Sequence, residues 1–419
     1  MENDSISFCN VDDAWWKLAI QPFVAGIVGY ITNVVALKMM FYPLEFWGVK
    51  IKTFHEQPFG IIGWQGVLPC KMRKIAGRSV DLILERLLNV QEVFERLEPE
   101  RFGEVMDRGL LLLVDKVIQE TAEEYAPMVW NSLPQTVKDE IVVKASMESN
   151  SLFLQKFMKA MQENIYKVLD IRHMAVEACC ANKAIMNNIF LEVGAKEFVF
   201  IEHSGFYFGF LFGLVQVTVY CFEPAVWVLP VFGFMVGWLT NWLALKVIFR
   251  PLEPTKVLGF TMHGIFLRRQ QEVAETFSRV NCRQILHTKA IWDTILTGRL
   301  KRNFFNLLRA HSLAFTNDLL GGMRIFAIAS LGAQNLNDMR EAIAQKIIDG
   351  LPGIIDQSYE YTTEALDIEN TLRERMAALS SSEFEGVLHP AFEEDEILLI
   401  IVGGALGALA GTLQLLLLF

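Results

Sequence analysis

The chain has 419 residues, of which 52% are hydrophobic and 11% aromatic, and only 21% are charged. A formal net charge of −10 excludes the basic field that phosphate contacts demand, so nucleic acid is not an expected partner. The cysteines at 9, 70, 179, 180, 221 and 282 show no CxxC or zinc spacing and the histidines show no HxxxH or HExxH, so no local metal motif and no cofactor are expected.

Residues 1–14 form a short tail with Glu2, Asp4, Asp12 and Asp13 and neither Lys nor Arg, unlike the basic start of a cleaved leader. The first apolar run is therefore expected to be its own insertion signal. Asn3-Asp4-Ser5 fits a glycosylation sequon, though its place at the extreme start argues against use. Trp15 and Trp16 open an apolar run over 15–42 as interfacial aromatics do. It exceeds the roughly 20 residues that cross a bilayer. Its far end reads Gly29-Tyr30-Ile31-Thr32-Asn33-Val34-Val35-Ala36-Leu37-Lys38, followed by Phe41 and Pro43-Leu44-Glu45.

The first insert, 43–197, begins with an aromatic and glycine-rich stretch that contains Gly63-Trp64-Gln65-Gly66-Val67-Leu68-Pro69. A helix is expected from Cys70, with Pro69 at or before its first turn. Met72, Ile75, Val80, Ile83, Leu87, Val90, Phe94 and Leu97 then recur at helical spacing against Arg73, Lys74, Asp81 and Glu85, one apolar face and one wet face. Pro99, Pro127 and Pro134 punctuate further helices, and strand alternation is scarce. Such thin apolar stripes must pack on one another to be stable.

A second apolar run, 198–222, carries Gly205, Gly209, Gly213 and Gln216 in the pattern GxxxGxxxGxxQ. Small residues at every fourth position leave a bare stripe along which another helix can approach. A third run, 225–249, repeats the end of the first at an offset of 208, with Gly237, Thr240, Asn241, Ala244, Leu245, Lys246, Phe249 and Pro251-Leu252-Glu253 in register. The second insert, 250–394, has Gly264 where the first has Gly66, and lacks the Trp-Gln. The fourth run, 396–419, repeats the glycine stripe as Gly403, Gly407, Gly411 and Gln414, at an offset of 198. Glu393, Glu394, Asp395 and Glu396 before it suit a solvated helix start.

The pattern predicts a tandem duplication of a unit built as spanning helix, polar insert, spanning helix. The fold class is all-α and polytopic: four transmembrane helices and two cytoplasmic helical bundles, related by an internal parallel repeat about an axis along the membrane normal. Lys38, Lys50, Lys52, Lys71 and Arg73 after the first span, and Lys246, Arg250, Lys256, Arg268 and Arg269 after the third, place both inserts in the cytoplasm and both termini on the opposite side. Cys9 and Cys221 would share that side, where they could pair, with thiols the favoured state.

Thr32-Asn33 and Thr240-Asn241 lie roughly 12 Å inside the helix ends at 1.5 Å per residue. Each asparagine either clamps a neighbouring helix or the Trp64-Gln65-Gly66 loop, or forms a functional site, since polar side chains at membrane depth must find partners. Lys38 and Lys246 are expected to snorkel to the headgroups rather than to bind an anion. Gln216 and Gln414 sit toward the outer helix ends, away from the asparagine layer. No Walker loop, GxSxG elbow or dinucleotide fingerprint is present, and an enzyme is not expected.

The Gly-Tyr-x-Thr-Asn-x-x-Ala-Leu-Lys-x-x-Phe-x-Pro stretch, the Gly-Trp-Gln-Gly-Val-Leu-Pro-Cys-Lys segment and the Glu-Asp-Glu lead into Gly-x-x-Leu-Gly-x-x-x-Gly-x-x-Gln together resemble the domain-of-unknown-function 445 family. Its members include membrane proteins also called uncharacterised protein family 0754. The resemblance implies topology and no catalytic residues. A simple member resembles one unit with a span at each end; this chain carries two. The expected role is a non-enzymatic scaffold that binds lipid or a membrane-protein partner through its amphipathic bundles. The alternatives are a transporter or channel component with a path near Asn33 and Asn241, and lipid transfer through an apolar groove in the bundles.

Overall fold

The computed structural model describes residues 11–53, 57–222, 225, 227–257, 260–262, 264–320, 332–388 and 396–418. The Asn3 sequon, the acidic run 393–395 and any pairing of Cys9 with Cys221 lie outside them. In chain order the elements are α1 (Val11–Phe41), β1 (Trp47–Thr53), β2 (Gly60–Trp64), α2 (Val67–Cys70), α3 (Met72–Leu82), α4 (Val90–Glu95), α5 (Pro99–Tyr125), α6 (Pro127–Ser132), α7 (Gln135–Glu148), α8 (Gln155–Glu163), α9 (Ile165–Val168), α10 (Ile171–Ala181), α11 (Ala184–Val193) and α12 (Ala195–Phe222). There follow α13 (Val228–Phe249), β3 (Thr255–Val257), β4 (Phe260–Met262), α14 (Ile265–Arg268), α15 (Gln270–Gln284), α16 (Thr288–Thr297), α17 (Lys301–Leu320), α18 (Ala333–Gly350), α19 (Tyr359–Leu366), α20 (Ile368–Ala377), α21 (Ser381–Leu388) and α22 (Glu396–Leu418).

The chain forms two compact units, and both halves of the sequence contribute to each. One unit holds Met1–Ile83, Val176–Val280 and Arg373–Phe419; the other holds Leu84–Ala175 and Asn281–Leu372. The first contains four helices long and apolar enough to cross a membrane, Leu18–Phe41, Ala195–Val219, Val228–Ile248 and Glu396–Leu416. Their apolar residues do not keep to one side. Phe23, Ile27, Ile31, Leu211, Val215, Phe234, Met235, Ile401 and Leu409 are exposed on the outer faces, a surface that suits lipid and not water.

Within this unit α1 packs on α12 and α13 on α22. Glycine decides how closely. A Cβ built on Gly29 would strike the carbonyl oxygen of Gly205, and one on Gly237 would strike that of Gly403. Gly209 would meet the Ala25 oxygen at 2.6 Å, and Gly213 the Pro22 Cα at 2.8 Å. Gly407 and Gly411 face the carbonyl oxygens of Gly233 and Leu229 in the same way.

The aromatic stretch after α1 holds strands that the alternation signal misses. β1 and β2 pair antiparallel, with Trp47 opposite Trp64 and Gly48 opposite Gly63. Both glycines have positive φ, at 139° and 148°, which a side chain would resist, so glycine-rich composition conceals a ladder. β3 and β4 pair likewise after α13. Tyr42-Pro43 and Arg250-Pro251 are cis peptides.

The second unit is a helical bundle whose core is shared by the two inserts. Phe102 of α5 meets Trp292 of α16 with ring centroids 6.0 Å apart, and Phe157 of α8 meets Phe304 of α17 at 5.6 Å. Polar contacts follow the same seam: Arg96 Nη1 donates to Thr371 Oγ1 at 2.6 Å, and the Glu98 amide donates to Tyr361 Oη at 2.9 Å. Gln162 of α8 donates to the Phe94 and Leu97 carbonyls at 2.8 and 2.7 Å, tying α8 to the end of α4 and the residues just after it.

Candidate functional site

The two asparagines read from the sequence each lock a helix pair. Asn33 Nδ2 donates to the Ile201 carbonyl at 2.7 Å, and Asn241 Nδ2 donates to the Leu399 carbonyl at 3.0 Å. Each accepting carbonyl lies one turn before a stripe glycine, Gly205 or Gly403. A Cβ on Gly205 would lie 2.7 Å from Asn33 Nδ2, and one on Gly403 would overlap Asn241 Nδ2. The missing side chain thus makes the notch into which the amide reaches, and the Thr-Asn pair and the glycine stripe are two halves of one contact. Thr32 and Thr240 satisfy themselves by donating to the carbonyls of Gly29 and Gly237 at 3.0 and 3.3 Å.

The remaining sequence candidates separate. Lys38 and Lys246 are exposed, with Lys246 Nζ 5.7 Å from the Trp242 ring centroid. Gln216 and Gln414 are buried elsewhere along the helices. Gln21, which the sequence reading passed over, is fully buried with neither amide atom hydrogen-bonded. Trp64, Gln65 and Gly66 close the end of α1: Trp64 Nε1 donates to the Met39 carbonyl at 3.1 Å, Gln65 Nε2 to Leu44 at 2.8 Å, and the Gly66 amide to Pro43 at 2.9 Å. Asn187 Nδ2 takes the Phe41 carbonyl at 2.5 Å. Gly264 repeats the Gly66 contact, its amide donating to Pro251 at 3.0 Å. The Met39 and Phe41 carbonyls are ones that the C-terminus of α1 leaves without helical partners, and the Leu44, Pro43 and Pro251 carbonyls belong to the segments just beyond α1 and α13.

Asn33 and Asn241 line one cavity of about 50 Å³ among the spanning helices, with Ala36, Phe198, Ile201, Leu399 and the carboxylate residue Glu197. Glu197 is 3% exposed and pairs with Arg269 Nη1 at 2.5 Å. Arg269 also grips Glu272 at 2.9 Å, and Lys196 holds the same Glu272 carboxylate at 2.5 Å. The Arg269 hydrogen bond, then that of Lys196, pulls the Glu272 carboxyl down to about 2, and the bond to Glu272 raises the Arg269 guanidinium further. The signal for Glu197 in the sequence is an acid immediately before the second apolar run; its partner, 72 residues on, could not be read.

The second unit carries a separate feature, a groove of about 470 Å³ floored by Leu110, Leu113, Val117, Phe153, Phe315 and Ile347, with Lys144, Glu148 and Asp318 among its walls. Among the described residues no cluster of three His, Cys, Asp or Glu could hold a metal. Burial pushes the Cys179 and Cys282 thiols up to about 12, far from a nucleophilic range.

The fold defines an α-helical membrane protein with four apolar helices long enough to cross a bilayer and, as a separate unit, a helical bundle. The chain resembles the UPF0754 membrane proteins of cyanobacteria. It is 22% identical to one from Synechococcus sp. (strain JA-3-3Ab) over 96% of its own length and 99% of that relative. Over shorter segments it is 32% identical to one from Thermosynechococcus vestitus and 27% identical to one from Cyanothece sp.. Those segments cover 20% and 27% of this chain and span 18% and 27% of the two relatives. No family model and no solved structure matches the chain.

Proposed function

We propose that the protein is a membrane-anchored lipid-binding scaffold, in which the glycine-packed helices hold the chain in the bilayer and the second unit takes an acyl chain. The observation that carries this reading is the groove of about 470 Å³, inside the roughly 300–1,000 Å³ range of small-ligand sites. Its apolar floor suits a hydrocarbon tail, and the Lys144 ammonium suits an anionic head. Basic residues after the first and third spans support a cytoplasmic bundle with both termini opposite. The matched Thr-Asn and glycine registers support a duplicated two-span module that associates through its bare glycine stripes.

Native mass spectrometry of the full-length protein purified in detergent tests the reading. Copurifying lipid that is lost in Val117→Trp, a change that fills the groove, is the expected result. Protein that carries no lipid, or carries it equally in both, sinks it. A second reading, transport between the copies, rests on Asn33 and Asn241 sharing one cavity. The small volume, and amides already committed to helix carbonyls, favour the scaffold.

A further inference from the structure

Two buried oxygens of residues that line the intramembrane cavity have no hydrogen-bond partner, Asn33 Oδ1 and Glu197 Oε2. Their side chains are 0% and 3% exposed, so water outside the protein does not serve them. Unpaired acceptors in so dry a place are costly. Both orphans accept and neither donates. The complementary ligand must therefore donate hydrogen bonds, carry positive charge, or do both.

The rest of the lining narrows the class. Phe190, Phe198 and Phe266 contribute rings, and the other walls are aliphatic except for Asn241. Aromatic faces attract a desolvated cation, and apolar walls attract its alkyl group. A hard divalent ion needs six or more oxygen ligands, and two are offered. Arg269 pairs with Glu197 through Oε1 and also with Glu272, and Glu197 Oε2 is left as an acceptor.

We infer that this cavity binds a small organic ammonium ion, whose N–H groups donate to Glu197 Oε2 and Asn33 Oδ1 while its carbon packs on the phenylalanines. A volume of about 50 Å³ admits a few water-sized groups, which limits the ligand to a short amine or to the end of a longer one. The site needs no flux across the membrane and is independent of the groove in the second unit.

The test uses full-length protein in a maltoside detergent, which contains no ammonium group. Thermal unfolding is followed as methylammonium chloride is added, with sodium chloride at equal ionic strength as the control arm. A saturable rise in unfolding temperature with methylammonium, absent with sodium, is expected. Glu197→Gln removes the acceptor charge and should weaken the apparent affinity by about tenfold or more. Ala36→Val adds bulk to the cavity lining while retaining both acceptor residues, and keeps the test valid if Glu197→Gln fails to fold; it should abolish the rise. The inference is overturned by a rise identical with sodium, by no rise, or by a rise that survives in Ala36→Val.

Discussion

At the scale of single residues, glycine's value here depends on what a methyl group would meet. On Gly205 it would meet the Gly29 carbonyl oxygen and the Asn33 amide, neither of which can yield without parting two helices. Gly386 in α21 has nothing within 4 Å. Gly205→Ala should therefore destabilise by about 1–3 kcal/mol through overpacking, and Gly386→Ala should stabilise by roughly 0.5–1 kcal/mol through helix propensity. Thermal unfolding of the two variants in detergent checks this, and equal effects would contradict it. Asn33→Leu should fall near 1 kcal/mol, because one interhelical bond is lost and Ile201 keeps its helical partner.

At the scale of elements, the start of α12 is fixed to the segment leading into α15 by charge. Arg269→Met leaves the Glu197 carboxylate buried without its cation and should cost about 3–5 kcal/mol. Combining it with Glu197→Leu should recover most of that loss, since an apolar pair of similar bulk removes the stranded charge. A double-mutant cycle on unfolding free energies measures the coupling, and simple additivity would refute it. The same network has a pH dependence. The Glu272 carboxyl is held at about 2, below its unfolded value, so its contribution is complete above roughly pH 4.3 and disappears as pH falls toward 2. Unfolding temperature should fall across that window less steeply in Glu272→Gln than in the parent. The difference should be small, because solvent screens a half-exposed carboxylate.

At the scale of the molecule, the helical middles of both inserts share one core, through Phe102 on Trp292 and Phe157 on Phe304. Residues 1–224 produced alone would leave Phe102 and Phe157 without those ring partners, and should aggregate or be degraded. Co-production with residues 225–419 should restore a soluble detergent complex, read by gel filtration of the paired fragments. A stable, monodisperse first half would show that the shared core is dispensable.

Some of this was present in the order of the residues. Four apolar runs, the doubled Thr-Asn register and the glycine spacing are local patterns, and local patterns report which segments seek lipid and which helix faces are bare. Cysteine and histidine spacing likewise gave no reason to expect a local metal motif, because such a motif needs its ligands at set intervals. Only the tertiary structure decided that each asparagine enters the notch of a glycine on another helix, that Trp64 caps the end of α1, and that Glu197 meets Arg269. Those partners lie far apart along the chain, and no periodicity encodes which distant carbonyl or charge a side chain will reach. The groove arises for the same reason, as the space left where α5, α7, α17 and α18 meet and their side chains do not fill it.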